Sequence, residues 1–166
     1  MSSIIVILGA PEMGNEIHAV MLAETSGLPQ LPVGRLLRET ARSKTLLGRE
    51  LRLLQAAGRP VSDELIAQVL WSRTIQPDCA DGYVLTDYPR TLEQARRLDE
   101  MAELQGREIR VYELTVLRPG ERRQSVGRLT DYYLDSGRLM MINAGRAMED
   151  VFFDLCQSAT GWTSGA

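Results

Sequence analysis

Ile4-Ile5-Val6-Ile7-Leu8, followed by Gly9-Ala10-Pro11-Glu12-Met13-Gly14, is the stretch on which the fold turns. Five consecutive apolar residues leave no polar face, the pattern of a strand buried on both sides, as in parallel sheets. The glycine-bounded segment after it reads as a turn, and residues 15–26, stopped by Gly27, read as a helix. Working outward, helices are expected over 34–43 and 46–57, the second with Leu47, Leu51 and Leu54 at helical spacing and Gly58 after it. Ser62 is an N-cap candidate, with Asp63 and Glu64 in the first turn and Leu65, Ile66, Val69 and Leu70 on one face. Trp71 in that helix is expected in the core or against the 34–57 region. Residues 83–86 read as a short buried strand, and Thr91-Leu92-Glu93-Gln94 as a capping box opening a helix to about 105. Strands are expected at 109–116 and 139–142, a helix at 147–157, and a flexible tail at 158–166. Alternating strands and helices argue an α/β fold with a parallel sheet and helices on both faces.

The chain has 166 residues, enough for one domain, and is 44% hydrophobic and 25% charged, as ordinary globular proteins are. A net charge of -3 gives no polyanion-binding footprint, so no nucleic-acid partner is expected. No apolar run is long enough to span a membrane, and the N-terminal run lacks the basic flank of a signal peptide. Cys79 and Cys156 have neither disulfide-framework nor metal-ligand spacing, so no metal site is expected, and a cytoplasmic setting is. Of the 19 basic residues only Lys44 is lysine. Any chemistry that needs a lysine must find it there.

The order strand, Gly9 to Gly14, helix is the frame of a P-loop. A working P-loop continues with a lysine for the β- and γ-phosphates and a hydroxyl for magnesium. This one continues Asn15, Glu16, Ile17. Glu12 and Glu16 put negative charge where the helix amides should meet an anion. One of them is expected to fill that site from within, since a carboxylate at a helix N-terminus is favourable by ~0.3–1 kcal/mol. On the loop alone, an ordinary strand-to-helix turn stays open beside a nucleotide-binding ancestry. His18, with no acidic or cysteine partner at ligand spacing, reads as structural.

Further segments fall in order: Gly34 with Leu36-Leu37-Arg38, Gly58 through Asp63-Glu64, Pro77-Asp78-Cys79, Gly82-Tyr83, Tyr88-Pro89-Arg90-Thr91 with Gln94-Ala95, and Asp131-Tyr132-Tyr133 through Val151-Phe152. Together they resemble the adenylate kinase family, the nucleoside monophosphate kinase branch of P-loop proteins, over residues 3–157. The resemblance implies a three-layer P-loop fold, one domain over 1–166, with a helical NMP-binding insert at about 32–62. It implies that Gly9 and Gly14 frame a phosphate loop, that Arg38 and Arg90 hold an AMP phosphate, that Gln94 reads adenine, and that Val61 packs on the base.

The same resemblance exposes losses. The loop's glycine, lysine, glycine and threonine are Glu12, Asn15, Glu16 and Ile17. Thr86 stands where a carboxylate helps place magnesium, and Asp87 where a glycine faces the nucleotide. Between 117 and 130 the family's lid has no room and is expected to be absent; Arg122, Arg123 and Arg128 lie there without assignable roles. ATP and Mg2+ are therefore not expected as cofactors, and AMP is the candidate ligand. The leading expectation is a catalytically impaired adenylate-kinase-like protein with a residual AMP-type nucleotide or anion site. An active kinase moving phosphate from ATP to AMP, and a protein-interaction or self-associating domain without nucleotide, stay open as alternatives.

Overall fold

Ile4, Ile5, Val6 and Ile7 are all at most 4% exposed, so the apolar run is a strand covered on both faces. The computed structural model describes residues 2–116 and 127–160. Among them, β1 (Ser3–Gly9), β2 (Gln30–Pro32), β3 (Gly82–Thr86), β4 (Glu108–Thr115) and β5 (Leu139–Asn143) form one sheet in the order β2-β3-β1-β4-β5. Each neighbouring pair is parallel. The helices are α1 (Asn15–Ser26), α2 (Val33–Arg42), α3 (Leu46–Ala56), α4 (Asp63–Thr74), α5 (Leu92–Gln105), α6 (Arg128–Asp135) and α7 (Met148–Thr160). Single 3-10 turns lie at Pro11–Met13 and Pro77–Cys79.

Alternation along β1 divides the core, because successive side chains point to opposite faces. Ile4 and Val6 join Leu70, Leu98, Met101 and Tyr133, from α4, α5 and α6. Ile5 and Ile7 join Ala19, Leu22, Val151 and Leu155, from α1 and α7. The molecule is thus a three-layer α/β fold with helices on both faces. A third, smaller cluster of Ala41, Leu51, Leu65 and Val69 holds α2 and α3 against α4, within the helical pair that occupies 33–56.

Three expectations change. Residues 158 and 159 are not a tail: α7 runs to Thr160, and Arg110 Nη1 donates to Ala159 O at 3.3 Å. Trp71 is not in the core but 39% exposed, because its neighbours Leu70 and Val69 take the two buried directions of α4; the other reading of it, a contact with the insert, is not touched by this. The capping box keeps its first half, Gln94 N donating to Thr91 Oγ1 at 3.2 Å. Its second half is displaced by one residue: Gln94 Oε1 accepts from Arg90 N at 2.8 Å. The expected lid deletion, with Arg122 and Arg123, falls on 117–126, outside the described residues; Arg128 opens α6. No helix among the described residues is long and apolar enough to cross a membrane.

Candidate functional site

β1 lies at the centre with β3 on one side and β4 on the other, so the chain reverses its direction of travel across the sheet at β1. In open parallel sheets, ligands bind at the carboxyl ends of the strands at such a point. A cleft of about 440 Å³ opens there, lined among others by Gly9, Asn15, Glu16, Thr86, Asp87, Arg90, Glu113 and Thr130. Gly9 ends β1 at φ +139°, and a Cβ on it would sit 2.5 Å from Leu114 O and 2.8 Å from Asn15 Oδ1. Only glycine lets the strand end lie this close to β4.

The loop is closed on itself. Asn15 Nδ2 donates to Gly9 O at 2.5 Å, so the side chain in the lysine position turns back across the loop. Met13 N donates to Ala10 O at 2.9 Å and Gly14 N to Pro11 O at 3.2 Å, spending two loop amides on the loop's own carbonyls. The expectation that Glu12 or Glu16 fills the anion site is corrected. Glu12 is exposed in the 3-10 turn, while Glu16, with a 70% exposed side chain, faces outward to Arg35 on α2 at 3.6 Å. Asn15, not a carboxylate, occupies the loop.

Thr86, at the end of β3, is buried and accepts from Gln30 Nε2 at 3.5 Å. Asp87 follows at φ +64°, in the left-handed region that aspartate tolerates better than most residues. It anchors Arg90 twice: Arg90 Nε donates to Asp87 O at 3.1 Å, and Nη2 lies 3.6 Å from Asp87 Oδ1. Arg38, exposed on α2, reaches the same neighbourhood, since a Cβ on Gly34 would lie 3.5 Å from Arg38 Nη1 and 3.9 Å from Asp87 Oδ2. Of the two arginines singled out by sequence, Arg90 is thus paired with Asp87, while Arg38 lies near it across Gly34.

Gln94 has other duties. Beyond its bond from Arg90 N, its Nε2 donates to Asp63 Oδ1 at 2.9 Å, tying α5 to α4. Each end of the amide keeps one further hydrogen-bonding position. Val61 is half-buried, packed against both the large core cluster and the α2–α3 cluster. Gly14, Ile17, Arg38, Val61 and Gln94 do not line the cleft itself. Lys44, between α2 and α3, lines a separate pocket with Arg38, Arg42 and Arg52, away from the loop. His18 is 4% exposed, and burial lowers its pKa.

Sequence reasoning missed Glu113. It sits near the carboxyl end of β4, opposite Leu8 of β1, and is 7% exposed. Oε1 accepts from Thr130 Oγ1 of α6 at 3.3 Å, while the buried Oε2 has no partner among the described residues. Burial pushes this carboxyl above its ordinary pKa, only partly offset by the Thr130 bond. The available signal was a glutamate inside the apolar run Val111-Tyr112-Glu113-Leu114, on a strand covered by helices.

A parallel sheet with a glycine-bounded loop running from its central strand into a helix defines a P-loop-type α/β kinase fold. The adenylate kinase family profile matches residues 7–140. Adenylate kinases of Brucella ovis, Brucella anthropi and Brucella canis are each 30% identical over 182 aligned positions, covering 89% of this chain and 93% of the relative. The chain belongs to the adenylate kinase family. With 89% of this chain covered, about 34 of the 182 aligned positions therefore have no residue in it.

Proposed function

We propose that this member of the adenylate kinase family binds a nucleoside monophosphate of the AMP type and does not transfer phosphoryl groups. Asn15 carries the reading. The position that should send an ammonium toward the β- and γ-phosphates instead sends an amide back to Gly9 O. Phosphoryl transfer depends on positioning and on neutralising the charge of the moving group. Among the described residues, the charged lining of the cleft is Glu16, Asp87 and Glu113 against Arg90 alone. A phosphate charge about 4 Å from one carboxylate is opposed by about 4 kcal/mol at an effective dielectric near 20. Neither ATP nor Mg2+ is expected to bind there.

The monophosphate end keeps its means of recognition. Arg38 and Arg90 supply guanidinium forks suited to a terminal phosphate, with Val61 and Gln94 beside them for the base. A cytoplasmic location belongs to the same reading. The purified protein, mixed with ATP, AMP and Mg2+, is expected to form no more ADP than its Arg90→Ala variant. Calorimetry with AMP is expected to show micromolar binding, weakened tenfold or more by Arg38→Ala. ADP formation well above the variant would establish an active kinase instead. Absence of AMP heat would leave a domain that binds no nucleotide.

A further inference from the structure

The strongest concentration of positive charge lies outside the cleft. A pocket of about 700 Å³ between α2 and α3 is lined by Arg38, Arg42, Lys44 and Arg52, and no acidic residue lines it among the described residues. The chain as a whole carries a net charge of -3. Arg38 and Arg42 stand one helical turn apart on α2, where residues share a face and like charges oppose each other. Lys44 follows on the turn to α3, and Arg52 comes from α3 itself. None of Arg38, Arg42 and Lys44 has an ion pair among the described residues. Local structure accounts for Arg52, whose Nη1 donates to Ala41 O at 2.5 Å and to Ser43 O at 2.6 Å. Thr40 O accepts from Ser43 N and Ser43 Oγ. These carbonyls at the end of α2 are therefore satisfied without Arg42 or Lys44. Arg38 Nη1 lies one turn back along α2, 3.5 Å from the place of a Cβ on Gly34 and on the side of Asp87, so Arg38 stands between this pocket and the monophosphate site.

We propose that the pocket between α2 and α3 is a second anion site, taking a small molecule that carries a diphosphate group, with Arg42, Lys44 and the remaining donors of Arg52 as its cations. The site does not need its charges to meet at one point, because they come from two helices and the turn between them. That spread suits a ligand whose own charge is divided over neighbouring centres. A phosphate group carries about −1.5 to −2, so two joined phosphates come close to balancing the four basic residues of the lining. A carboxylate, with a single charge, leaves most of them uncompensated. A nucleoside finds nothing to stack on, since the rest of the lining is Ala41, Ser43 and Gln55, with no aromatic face. A nucleic acid asks for a basic stripe across a surface, whereas here the positive charge is gathered in one pocket of an acidic chain. The inference goes beyond monophosphate binding and does not rest on it, because Arg90, Val61 and Gln94 do not line this pocket.

The test is a titration of the full chain with sodium pyrophosphate, free of divalent metal and at constant ionic strength, followed by the backbone amide signals of Ser43, Lys44 and Thr45. Saturable shifts are expected there, with a dissociation constant below about 1 mM. Sulfate, an anion of one centre, should bind at least tenfold more weakly. Arg42→Gln combined with Lys44→Gln should weaken pyrophosphate binding at least tenfold, while unchanged amide signals in β1 and β4 show that the variant is folded. Arg90→Ala should lose AMP binding and keep pyrophosphate binding within twofold. Pyrophosphate shifts at the α2–α3 turn in a chain that gives no heat with AMP would remove the monophosphate reading and leave this one standing. In the unsubstituted chain, no saturable shift at the turn, or equal binding of sulfate and pyrophosphate, would overturn the proposal without recourse to any variant. So would a doubly substituted protein that binds pyrophosphate as before. Loss of pyrophosphate binding in Arg90→Ala would also overturn it, since the anion would then sit at the monophosphate site.

Discussion

Glu113 shows how one residue can carry a measurable cost within a conventional core. Its carboxyl is held above the ordinary value chiefly by burial, so the folded chain retains a proton that the unfolded chain releases near pH 4.3. The sign follows from linkage: the folded state binds more protons, so this group's contribution to stability falls as pH rises from the unfolded value through the raised folded one. Below that window the neutral acid and a glutamine are alike in charge. Glu113→Gln should therefore differ little from the parent in urea unfolding at pH 4 and gain relative stability by pH 7. A stability difference between the two proteins that does not change with pH would show that the carboxyl is charged and satisfied in the fold. Asn15 makes a complementary point. Its identity is plain in the sequence as a departure from the loop pattern, but its hydrogen bond to Gly9 O was not. The expectation of a carboxylate plug failed because charge pattern along a chain does not reveal which side chain the loop's curvature turns inward.

At the scale of elements, the junction between α2 and α3 is the most tightly determined. Thr45 caps α3, accepting from Gly48 N at 3.1 Å, and Arg52 Nη1 donates to Ala41 O and Ser43 O at 2.5 and 2.6 Å, satisfying carbonyls at the end of α2. Gly48 packs so closely that a Cβ would sit 2.6 Å from Ser43 O, 2.7 Å from Ser43 Oγ and against Thr40 O. In an exposed helix, glycine to alanine gains about 1 kcal/mol. Here the collision is with backbone, so Gly48→Ala should instead destabilise by about 1–3 kcal/mol, seen as faster amide exchange in α2 and α3. Slower exchange would mean that the junction has room. Capped and periodic helices such as α3, α4 and α5 were legible because their signals are local: Thr91 and Ser62 do bond to the amides three residues on. The strand β2 was not, since Gln30–Pro32 buries only Leu31 and owes its conformation to pairing with β3. The extension of α7 past residue 157 was equally invisible, resting on Arg110, 49 residues away. Glu113 was overlooked for the same reason. A single acid in an apolar strand has no spacing partner, and its significance comes from the cleft that three strands and α6 close around it.

The whole molecule divides its stability in a way that bears on binding. The two large clusters share β1 and fix the sheet, while Ala41, Leu51, Leu65 and Val69 form a cluster with no strand residue in it. Helix α4 bridges the two regions, giving Leu65 and Val69 to the small cluster and Ile66 and Leu70 to a large one. The Gln94–Asp63 bond adds a second tie from α5. Local opening of α2 and α3 therefore strips little from the sheet, and such low-cost openings are where binding elements are commonly found. Leu51 is fully buried in the small cluster, and Leu51→Ala should cost about 2–5 kcal/mol of local stability. The effect should fall unevenly. Amides of α2 and α3 should lose protection, while those of β1 and β4 keep most of theirs. Because Arg38 rides on α2, AMP binding should weaken at least tenfold. Equal loss of protection in β1 and α3 would show instead that the molecule opens as one unit.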